Sequence, residues 1–385
     1  MTNFIDFHIL QNVPPSCVNR DDSGSPKTAT FGGQRRARVS SQCWKRAVRQ
    51  LFNDFVDQSK LGYRTTKIID LLAKEISRQN PELESQSAEL AKEIFKKSGD
   101  KQFRISLKPA RSKKDSGGET ANDVASYLVF LSTLQVQQLA EYAVDKAIKN
   151  EKQEKKHIEK LLNLNHSIDL ALFGRMVADY PGVNVDASCQ VAHAISTHSV
   201  ENEFDFFTAV DDVKSQDQEE TDAGAGMMGT VEFNSSTLYR YATINLDMLR
   251  ENLGSDDATV RAVDAFAQAF VKAMPTGKQN TFANRTLPEA IYVSVRDDQP
   301  VSLVGAFENA VTSREDTGFL APSVSRLVKE SADIEEAYGV EPLAQFTCGV
   351  GNSREQLRQI QEPVAFPQLV SNLDNLVTDL LAKGE

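Results

Sequence analysis

Apolar residues are spaced along the chain in patterns that predict both strands and helices. Phe4–Leu10 is apolar enough to be a buried central strand, and Leu238–Leu246 alternates as a strand does. Thr259–Met274 carries apolar residues at the spacing of an amphipathic helix, and the β-branched run Ile291–Val295 predicts another strand. Together these elements predict an α+β core that draws on distant parts of the chain.

Residues from about 60 to 175 follow a helical pattern almost throughout. Two apolar stripes recur at helical spacing, the first within Ile68–Ile76 and the second within Leu83–Phe95. We also predict one long helix from Asn122 to Asn150. A helical block between strand-bearing segments indicates a helical insertion at 61–180, which interrupts a core built from 1–60 and 241–385.

The segment 190–240 has the character of a long β-hairpin. Its arms are predicted at His193–Phe207 and Thr230–Tyr241. Between them, Asp205–Gly229 contains six acids from 211 to 222 and ends in AGAGMMG. Such a composition predicts a flexible, solvated hairpin tip. A disordered surface loop without a partner is the alternative.

Charge changes this picture near the N-terminus. The chain of 385 residues has a net charge of -11, yet residues 23–53, which we call the basic segment, contain no acid. The basic segment carries seven cations, at Lys27, Arg35, Arg36, Arg38, Lys45, Arg46 and Arg49. A basic segment in an acidic protein indicates a site for a polyanion.

The basic segment is also ordered like a strand followed by a helix. Arg35–Val39 is predicted as a short strand, and Ser40 or Ser41 as the N-cap of the next helix. One helical face is apolar and is expected to be buried, through Trp44, Ala47, Val48, Leu51 and Phe52. Another face combines Gln42, Lys45 and Arg49, and it would bind phosphates beside the positive end of the helix dipole. An ordinary solvated basic helix is the alternative.

Two N-terminal runs, SCVNRDDSG (Ser16–Gly24) and TFGGQRRARVSSQCWKRA (Thr30–Ala47), resemble the CasC family. CasC, of the RAMP superfamily, is the repeated backbone subunit of type I-E CRISPR Cascade, the complex that carries a guide RNA to target DNA. Later runs resemble it in the same order, namely LFGRM (Leu172–Met176), VAHAISTHSVENEFDFFTAVDD (Val191–Asp212), LYRYATINL (Leu238–Leu246) and PTGKQNTFA (Pro275–Ala283). The resemblance therefore touches most of the chain.

The resemblance implies an RNA-recognition-motif-like (ferredoxin-like) palm, helical fingers at 61–180 and a thumb at 190–240 that reaches over bound RNA. It also implies a non-catalytic subunit. Its partners would be CRISPR guide RNA, the target DNA strand, further copies of itself and other Cascade subunits. Met176 would be a wedge at a flipped or kinked nucleotide, and the thumb arms around Thr197–Phe207 would cross the RNA strand. No cofactor or metal is expected.

The candidate RNA-binding residues combine the basic segment, these implied positions and a loop cation. They are Lys27, Arg35, Arg38, Ser40, Gln42, Lys45, Arg46, Arg49, Met176, Thr197 and Lys278. Lys278 ends a TGK run that lacks the first glycine of a P-loop. A lysine-rich helix that touches duplex DNA in the resembling family suggests three further candidates, Lys155, Lys156 and Lys160. Because glutamates are interspersed at 151, 154 and 159, an i,i+4 salt-bridged surface is the alternative there.

A metal-dependent ribonuclease is the main enzymatic alternative. Type III relatives of the resembling family cleave RNA with an aspartate at a position similar to that of Asp21 and Asp22. Residues of an Asx turn, or partners for Arg20 and Arg35, are the simpler interpretation of this pair. His193 and His198 lack the HExxH spacing and are interpreted as structural. A protein-interaction scaffold, whose basic segment binds an acidic partner, is the second alternative.

Cysteine usage and hydropathy bear on the location of the protein. The four cysteines form no CxxC pair, which is typical of reduced thiols in a cytosol. No apolar run approaches the length of about 18 residues that predicts a transmembrane helix. The N-terminal MTNFIDFHIL lacks the basic start of a secretory signal. We therefore expect a cytoplasmic protein without membrane contact.

Overall fold

The computed structural model describes residues 2–96, 103–110, 122–209, 227–313 and 318–383. The chain forms two compact units, each assembled from separate stretches. Unit 1 comprises Met1–Leu51, Val191–Thr243 and Ala267–Leu376, and unit 2 comprises Phe52–Gln190, Ile244–Phe266 and Val377–Glu385. Strands and helices are both abundant, which confirms the predicted α+β class.

Thirteen strands are present among the described residues. Their bounds are β1 (Phe4–Ser16), β2 (Thr28–Phe31), β3 (Gln34–Val39), β4 (Gly62–Thr65), β5 (Leu107–Lys108), β6 (Val124–Ala125), β7 (Val129–Ser132), β8 (Cys189–Val191), β9 (Ala194–Ser196), β10 (Glu203–Ala209), β11 (Met227–Asn245), β12 (Ala290–Arg296) and β13 (Ala344–Gly349). The largest sheet runs in the order β13–β12–β1–β11–β9–β3–β2, and both β8 and β10 pair with β11.

The same described ranges contain twelve α-helices. Their bounds are α1 (Ser41–Leu51), α2 (Ile68–Gln79), α3 (Ser87–Phe95), α4 (Thr133–Ile148), α5 (Lys155–Leu162), α6 (Ile168–Phe173), α7 (Leu246–Leu253), α8 (Asp256–Lys272), α9 (Gln279–Phe282), α10 (Leu320–Tyr338), α11 (Asn352–Leu357) and α12 (Phe366–Lys383). In the part of the chain that the structure describes, no helix has both the length and the apolarity of a membrane span.

Strand β1 lies in the middle of the large sheet, between β12 and β11. Ile5, Phe7 and Ile9 are fully buried on one of its faces. On the other face, the ring of His8 stacks on Tyr241 and Tyr292, with centroids 5.2 and 5.1 Å away. A strand covered on both faces can be apolar at successive positions, which is the pattern the sequence shows. The predicted buried strand at Phe4–Leu10 is confirmed.

In unit 1, helix α1 packs through the apolar face that the spacing predicts. Trp44, Ala47 and Val48 are buried, and Trp44 belongs to a cluster that includes Val39 of β3 and Leu238 of β11. A second cluster, built around Phe307 and the buried side of α10, lies elsewhere in the same unit. Burial of this single stripe leaves the polar face of α1 directed away from the core.

In unit 2, helices α2–α5 share one hydrophobic core with strands β6 and β7. The single helix predicted from Asn122 to Asn150 is wrong, because β6 and β7 occupy its first part and α4 begins only at Thr133. β7 pairs with β4, and its aromatic and β-branched residues are buried. Ser132 and Gln135 then form a capping box, with bonds of 2.9 and 3.1 Å, which starts the helix.

Strands β10 and β11 form an antiparallel hairpin in which Glu203 lies opposite Phe233 and Ala209 lies opposite Met227. The outer parts of the two predicted arms make this hairpin. The inner part of the first arm, Ala194–Ser196, is β9, which also pairs antiparallel with β11 and belongs to the large sheet. The predicted acidic tip at 211–222 lies outside the described residues.

Candidate nucleic-acid interface

Helix α1 starts at a well-defined cap. The Oγ of Ser40 accepts a hydrogen bond from the Cys43 N–H at 3.4 Å, and the Ser40 carbonyl accepts one from the Trp44 N–H at 3.1 Å. The Ser41 N–H donates to Nδ1 of His193 at 3.1 Å. The N–H groups of Ser41 and Cys43 are therefore already bonded, so the predicted phosphate site has fewer free backbone donors than the sequence suggests.

A buried arginine fixes the orientation of α1. The guanidinium of Arg240, on β11, lies 3.8 Å from the ring centroid of Trp44 and 4.8 Å from that of Phe270. It donates to Oε1 of Gln11 at 2.6 Å and to the Phe270 carbonyl. Burial lowers the pKa of Arg240 to about 9. This stack holds Trp44 in place, and therefore also sets the direction of the opposite face of the helix.

That opposite face carries the predicted phosphate ligands of the helix. Gln42 is exposed, and Lys45 and Arg49 are half-buried. The three residues follow one another at i, i+3 and i+7, and none belongs to the buried stripe around Trp44. The structure therefore brings these three candidates together on one face of α1, as the spacing predicts.

The arginines of β3 divide between surface and core because side chains alternate along a strand. Arg35 is exposed, whereas the side chain of Arg36 is fully buried. The Arg36 guanidinium donates to the carbonyls of Ser196 and Thr197, and to those of Phe307 and Glu308, at 2.9–3.0 Å. Burial lowers the pKa of Arg36. Arg36 is thus a structural cation, and it does not belong to the charged surface of the basic segment.

Lys27 and Arg38 lie close to the start of α1. The Arg38 N–H donates to the Lys27 carbonyl at 2.9 Å, and the Lys27 N–H donates to the Asn19 carbonyl at 2.8 Å. Burial lowers the pKa of His193, and the nearby charges of Arg38 and Lys27 lower it further. His193 is itself bonded to the first residue of α1, so both cations lie near the helix start and its cap, Ser40.

A groove of about 640 Å³ lies on the neighbouring side of α1. Its walls are the loop 18–24, one side of α1 with Arg46, and the loop 275–278 with Lys278. The loops approach closely at Gly277, where a Cβ atom would lie only 2.0 Å from the Val18 carbonyl oxygen. The structure therefore joins Lys278 and Arg46, which are far apart in sequence, in one place. Arg20, in the same groove, is a cation that was not among the predicted RNA-binding residues.

The groove also contains both aspartates of the NRDD run. Oδ1 of Asp21 accepts hydrogen bonds from the Ser23 hydroxyl at 2.7 Å and from the N–H groups of Ser23 and Ser25 at 3.0 Å. The bond from the Ser23 side chain is the main reason why the pKa of Asp21 is lowered. Asp21 is therefore an Asx-turn residue, whereas Asp22 is exposed. Among the described residues, no three His, Cys, Asp or Glu side chains cluster as metal ligands.

Arg35 lies apart from this groove, at the base of the β10–β11 hairpin. It lines a cavity of about 700 Å³ together with Glu232 and residues 199–202. Phe204, on β10, lines the same cavity and is 67% exposed, and Phe206 is 63% exposed. Both lie in the predicted thumb arm Thr197–Phe207 but were not individual candidates, and the alternating EFDF pattern around them is the sequence signal that could have found them.

Thr197 lies inside unit 1 and has no exposed surface. Its Oγ1 accepts a hydrogen bond from the Ser323 hydroxyl at 2.9 Å, and its carbonyl accepts one from Arg36 at 2.9 Å. The residue directly follows β9, whose side chains are all buried. Its predicted contact with RNA is not compatible with this position, because a fully buried side chain cannot reach a ligand outside the fold.

Met176, in unit 2, is 76% exposed and stands on a rigid base. The buried guanidinium of Arg175 donates to the carbonyls of Val183 at 2.8 Å and Leu162 at 2.7 Å. Burial lowers the pKa of Arg175 to about 10. Arg175 thus anchors the backbone from which the Met176 side chain projects.

Only two of the three lysines suggested for DNA contact are on the surface. Lys156 and Lys160 are exposed, whereas Lys155 is buried. The Nζ of Lys155 donates to the carbonyls of Glu93 at 2.6 Å and Ile94 at 2.8 Å, in the last turn of α3. Burial lowers its pKa to about 8. Lys155 is therefore a helix-capping residue, which excludes it from a DNA-binding surface.

The acids near these lysines have other partners. Glu151 and Glu154 pair with Lys146, at 2.7 and 3.8 Å, and a carboxylate oxygen of Glu159 accepts a hydrogen bond from the Tyr180 hydroxyl. The expected salt-bridged surface thus uses Lys146 in place of the α5 lysines.

Solved structures show where this fold occurs. A chain of a structure described as a CRISPR RNA-guided surveillance complex, pre-nicking, is 32% identical with a TM-score of 0.82; the match covers 97% of this chain and 100% of that chain. A chain of another CRISPR RNA-guided surveillance complex is 28% identical with a TM-score of 0.72, with coverage of 97% and 99%. The protein therefore has the fold of subunits from CRISPR surveillance complexes.

The family can also be stated. The sequence profile Cas_CT1975, described as CT1975-like protein, matches residues 5–372. The chain belongs to this CT1975-like protein family. No curated protein matches the chain significantly.

Proposed function

We propose that the protein is a non-catalytic backbone subunit of a type I-E CRISPR Cascade complex, which polymerises along guide RNA and presents it to target DNA. The observation that carries this proposal is the surface of the basic segment. There a rigid strand–helix unit directs cations outward while Arg36 and Trp44 are buried. The similarity to chains of two CRISPR RNA-guided surveillance complexes supports the same assignment.

Binding would act on the phosphates of the RNA. Lys27, Arg38 and Gln42 lie around the start of α1, and the half-buried Lys45 and Arg49 continue along the helix. Ser40, which the sequence also predicts as a phosphate ligand, is buried and caps the helix, so its part is to hold the first turn. Contacts of this kind carry no sequence information, since every nucleotide has the same phosphate. The base edges would remain available, and pairing with the target strand would supply the specificity. A subunit that binds only phosphates can hold guide RNAs of any sequence.

The sheet supports an RNA-recognition-motif-like palm as part of this proposal. Taken in chain order, β1, α1, β9, β11, α8 and β12 follow the β-α-β-β-α-β plan of ferredoxin-like folds. Their order in the sheet is β12–β1–β11–β9, so the first and third of the four strands are central. In the proposed function this sheet is the support that sets α1 and its cations at the RNA.

Two exposed features would complete the RNA path. The β10–β11 hairpin, with its exposed Phe204 and Phe206, would be the thumb that reaches over the strand toward a neighbouring copy. Met176 would wedge into the strand at a kinked nucleotide. The partners are then guide RNA, the target DNA strand, further copies of the chain and other Cascade subunits, in the cytoplasm. Lys156 and Lys160 remain candidates for DNA contact.

A metal-dependent ribonuclease is a second candidate, because Asp21 and Asp22 line a groove with Arg20, Arg46 and Lys278. The observation that weakens it is the role of Asp21, whose Oδ1 is occupied by three hydrogen bonds of its own turn. A protein-interaction scaffold that binds an acidic partner is a further alternative for the basic segment.

One experiment separates the three functions. Labelled single-stranded RNA is incubated with the purified protein and Mg²⁺, and the recovered RNA is run on a denaturing gel. The proposal predicts binding that strengthens with RNA length and leaves the RNA intact. Shortened RNA would favour the ribonuclease and assign catalysis to Asp22, and no binding at low salt would favour the scaffold.

A further inference from the structure

The groove between α1, the loop 18–24 and the loop 275–278 has a mixed charge. Three cations line it, Arg20, Arg46 and Lys278, together with two acids, Asp21 and Asp22. A site for phosphate alone would not place carboxylates beside its cations, because they repel the ligand. The lining instead fits a ligand that offers both an anion and a hydrogen-bond donor. Its volume of about 640 Å³ lies within the usual range for a small-ligand site, roughly 300–1,000 Å³.

The two acids of the groove differ in what they are free to do. Asp21 is committed to its turn through the bonds from Ser23 and Ser25. Asp22 is exposed, and no hydrogen bond or ion pair ties its side chain to another described residue. A carboxylate can only accept hydrogen bonds. Asp22 is therefore the acceptor that the groove presents to a donor on the ligand.

RNA offers two kinds of donor, and only one of them suits this site. The amino and ring N–H groups of the bases depend on the sequence, whereas the 2′-hydroxyl is present on every ribonucleotide and absent from DNA. The proposed function requires binding without regard to sequence. A carboxylate that binds guide RNA of any sequence needs a donor that every nucleotide carries, and the 2′-hydroxyl is that donor.

We infer that Asp22 accepts a hydrogen bond from a ribose 2′-hydroxyl while Arg46 and Lys278 contact an adjoining phosphate, which makes this groove selective for RNA over DNA. The inference rests on the proposed function and adds a discriminating element to it. The two loops touch at Gly277, and the turn bonds of Asp21 fix the backbone from which the Asp22 side chain projects.

The test measures the affinity of the purified protein for three single-stranded probes of one sequence: RNA, DNA and 2′-O-methyl RNA. The third probe keeps the ribose but lacks the hydroxyl donor. We expect the wild-type protein to bind RNA about tenfold more tightly than either other probe. In Asp22→Ala this preference should disappear: RNA affinity falls, and DNA affinity stays the same or rises because a negative charge has been removed.

Two variants control for charge and for the acceptor. Asp298→Ala removes an exposed acid outside the groove and should leave the preference unchanged. Asp22→Asn retains one acceptor oxygen and should keep part of the preference. The inference would be overturned if Asp22→Ala lost RNA and DNA affinity equally. It would also be overturned if the wild-type protein bound RNA and DNA equally well. The proposed function would stand in both cases. If the wild-type protein binds no RNA, the proposed function fails and the inference with it.

Discussion

Two segments of this chain are rich in cations, the basic segment in unit 1 and helix α5 in unit 2, and the structure uses them differently. In the basic segment only Arg36 is buried, and the other six cations are exposed or half-buried. In α5 the first lysine, Lys155, is buried, and its Nζ donates hydrogen bonds to carbonyls in the last turn of α3. The exposed lysines that follow it lie in a stretch that also contains three glutamates.

The comparison teaches that a cation count does not define a binding surface. A buried cation whose donors are taken by backbone carbonyls stabilises the fold, and it contributes nothing to a ligand outside. What distinguishes the basic segment is the absence of acids and the segregation of its cations from the stripe around Trp44. Each prediction below tests this division between structural and surface cations.

The largest effect is expected for Arg36, compared with its neighbour Arg35. Arg36→Ala would remove four hydrogen bonds between a buried guanidinium and carbonyls of two other segments, and we expect it to lower the free energy of unfolding by about 3 kcal/mol or more. Arg35→Ala, at an exposed position, should change it by less than about 0.5 kcal/mol. Urea denaturation of both variants measures the difference. Equal losses would contradict the assignment of Arg36 as the structural cation.

The next effect compares charge reversals in the two segments. Lys45→Glu with Arg49→Glu should weaken binding of single-stranded RNA at least about a hundredfold, because two phosphate contacts become repulsive. Folding should persist, since neither residue belongs to the buried stripe of α1. The matched control, Lys156→Glu with Lys160→Glu in α5, makes the same change in net charge and should leave RNA affinity nearly unchanged. The idea fails if both double variants lose affinity equally.

A smaller effect is expected within α5 itself. Lys155→Met would leave the carbonyls of Glu93 and Ile94 without their donor, at a cost of about 1–3 kcal/mol in the free energy of unfolding. Lys156→Met, one residue further on and exposed, is the control and should change it by less than about 0.5 kcal/mol. Thermal unfolding of both variants distinguishes the buried lysine from the exposed one.

The pKa of Lys155 gives this prediction a pH dependence. Burial lowers the pKa to about 8 in the folded protein, whereas lysine in an unfolded chain has a pKa of about 10.4. Between these pH values the unfolded chain binds the proton more tightly. The contribution of Lys155 to stability should therefore rise as pH increases from 8 to 10. If Lys155→Met retained that rise, the origin of the pH dependence would lie elsewhere.

The smallest effect on stability is expected at Met176, which belongs to neither cationic segment. Met176→Ala should change the free energy of unfolding by less than about 0.5 kcal/mol, because the side chain is largely exposed. If Met176 is a wedge, the variant should reduce base unstacking, which the fluorescence of 2-aminopurine in bound RNA reports. Unchanged fluorescence would remove Met176 from the RNA path and leave the basic segment unaffected.

Local patterns in the sequence predict part of this structure well. The buried strand β1 and the apolar face of α1 follow directly from the spacing of apolar residues. The segment 122–150 shows the limit of such patterns, because its apolar residues fit a helix while Val129–Ser132 pairs with the distant strand β4. Whether such an ambiguous segment forms a helix or a strand depends on pairing with segments that are far away in sequence.

The site is predictable only where it is local. The face with Gln42, Lys45 and Arg49 can be predicted from helical spacing alone. The groove cannot, because Lys278 joins Arg46 only through the fold. The role of Arg36 depends on carbonyls as far away as Phe307, 271 residues along the chain. Thr197 is buried for a similar reason, since its hydroxyl meets Ser323 from another part of unit 1.

The central claim is that surface cations of the basic segment bind RNA through its phosphates without regard to sequence. The most direct test is to measure the dissociation constant as a function of salt for two unrelated single-stranded RNAs of equal length. The account predicts matching affinities and equal linear plots of log affinity against log salt, with a slope of roughly -0.7 for each phosphate contacted. A flat salt response, or a large difference between the two sequences, would contradict it.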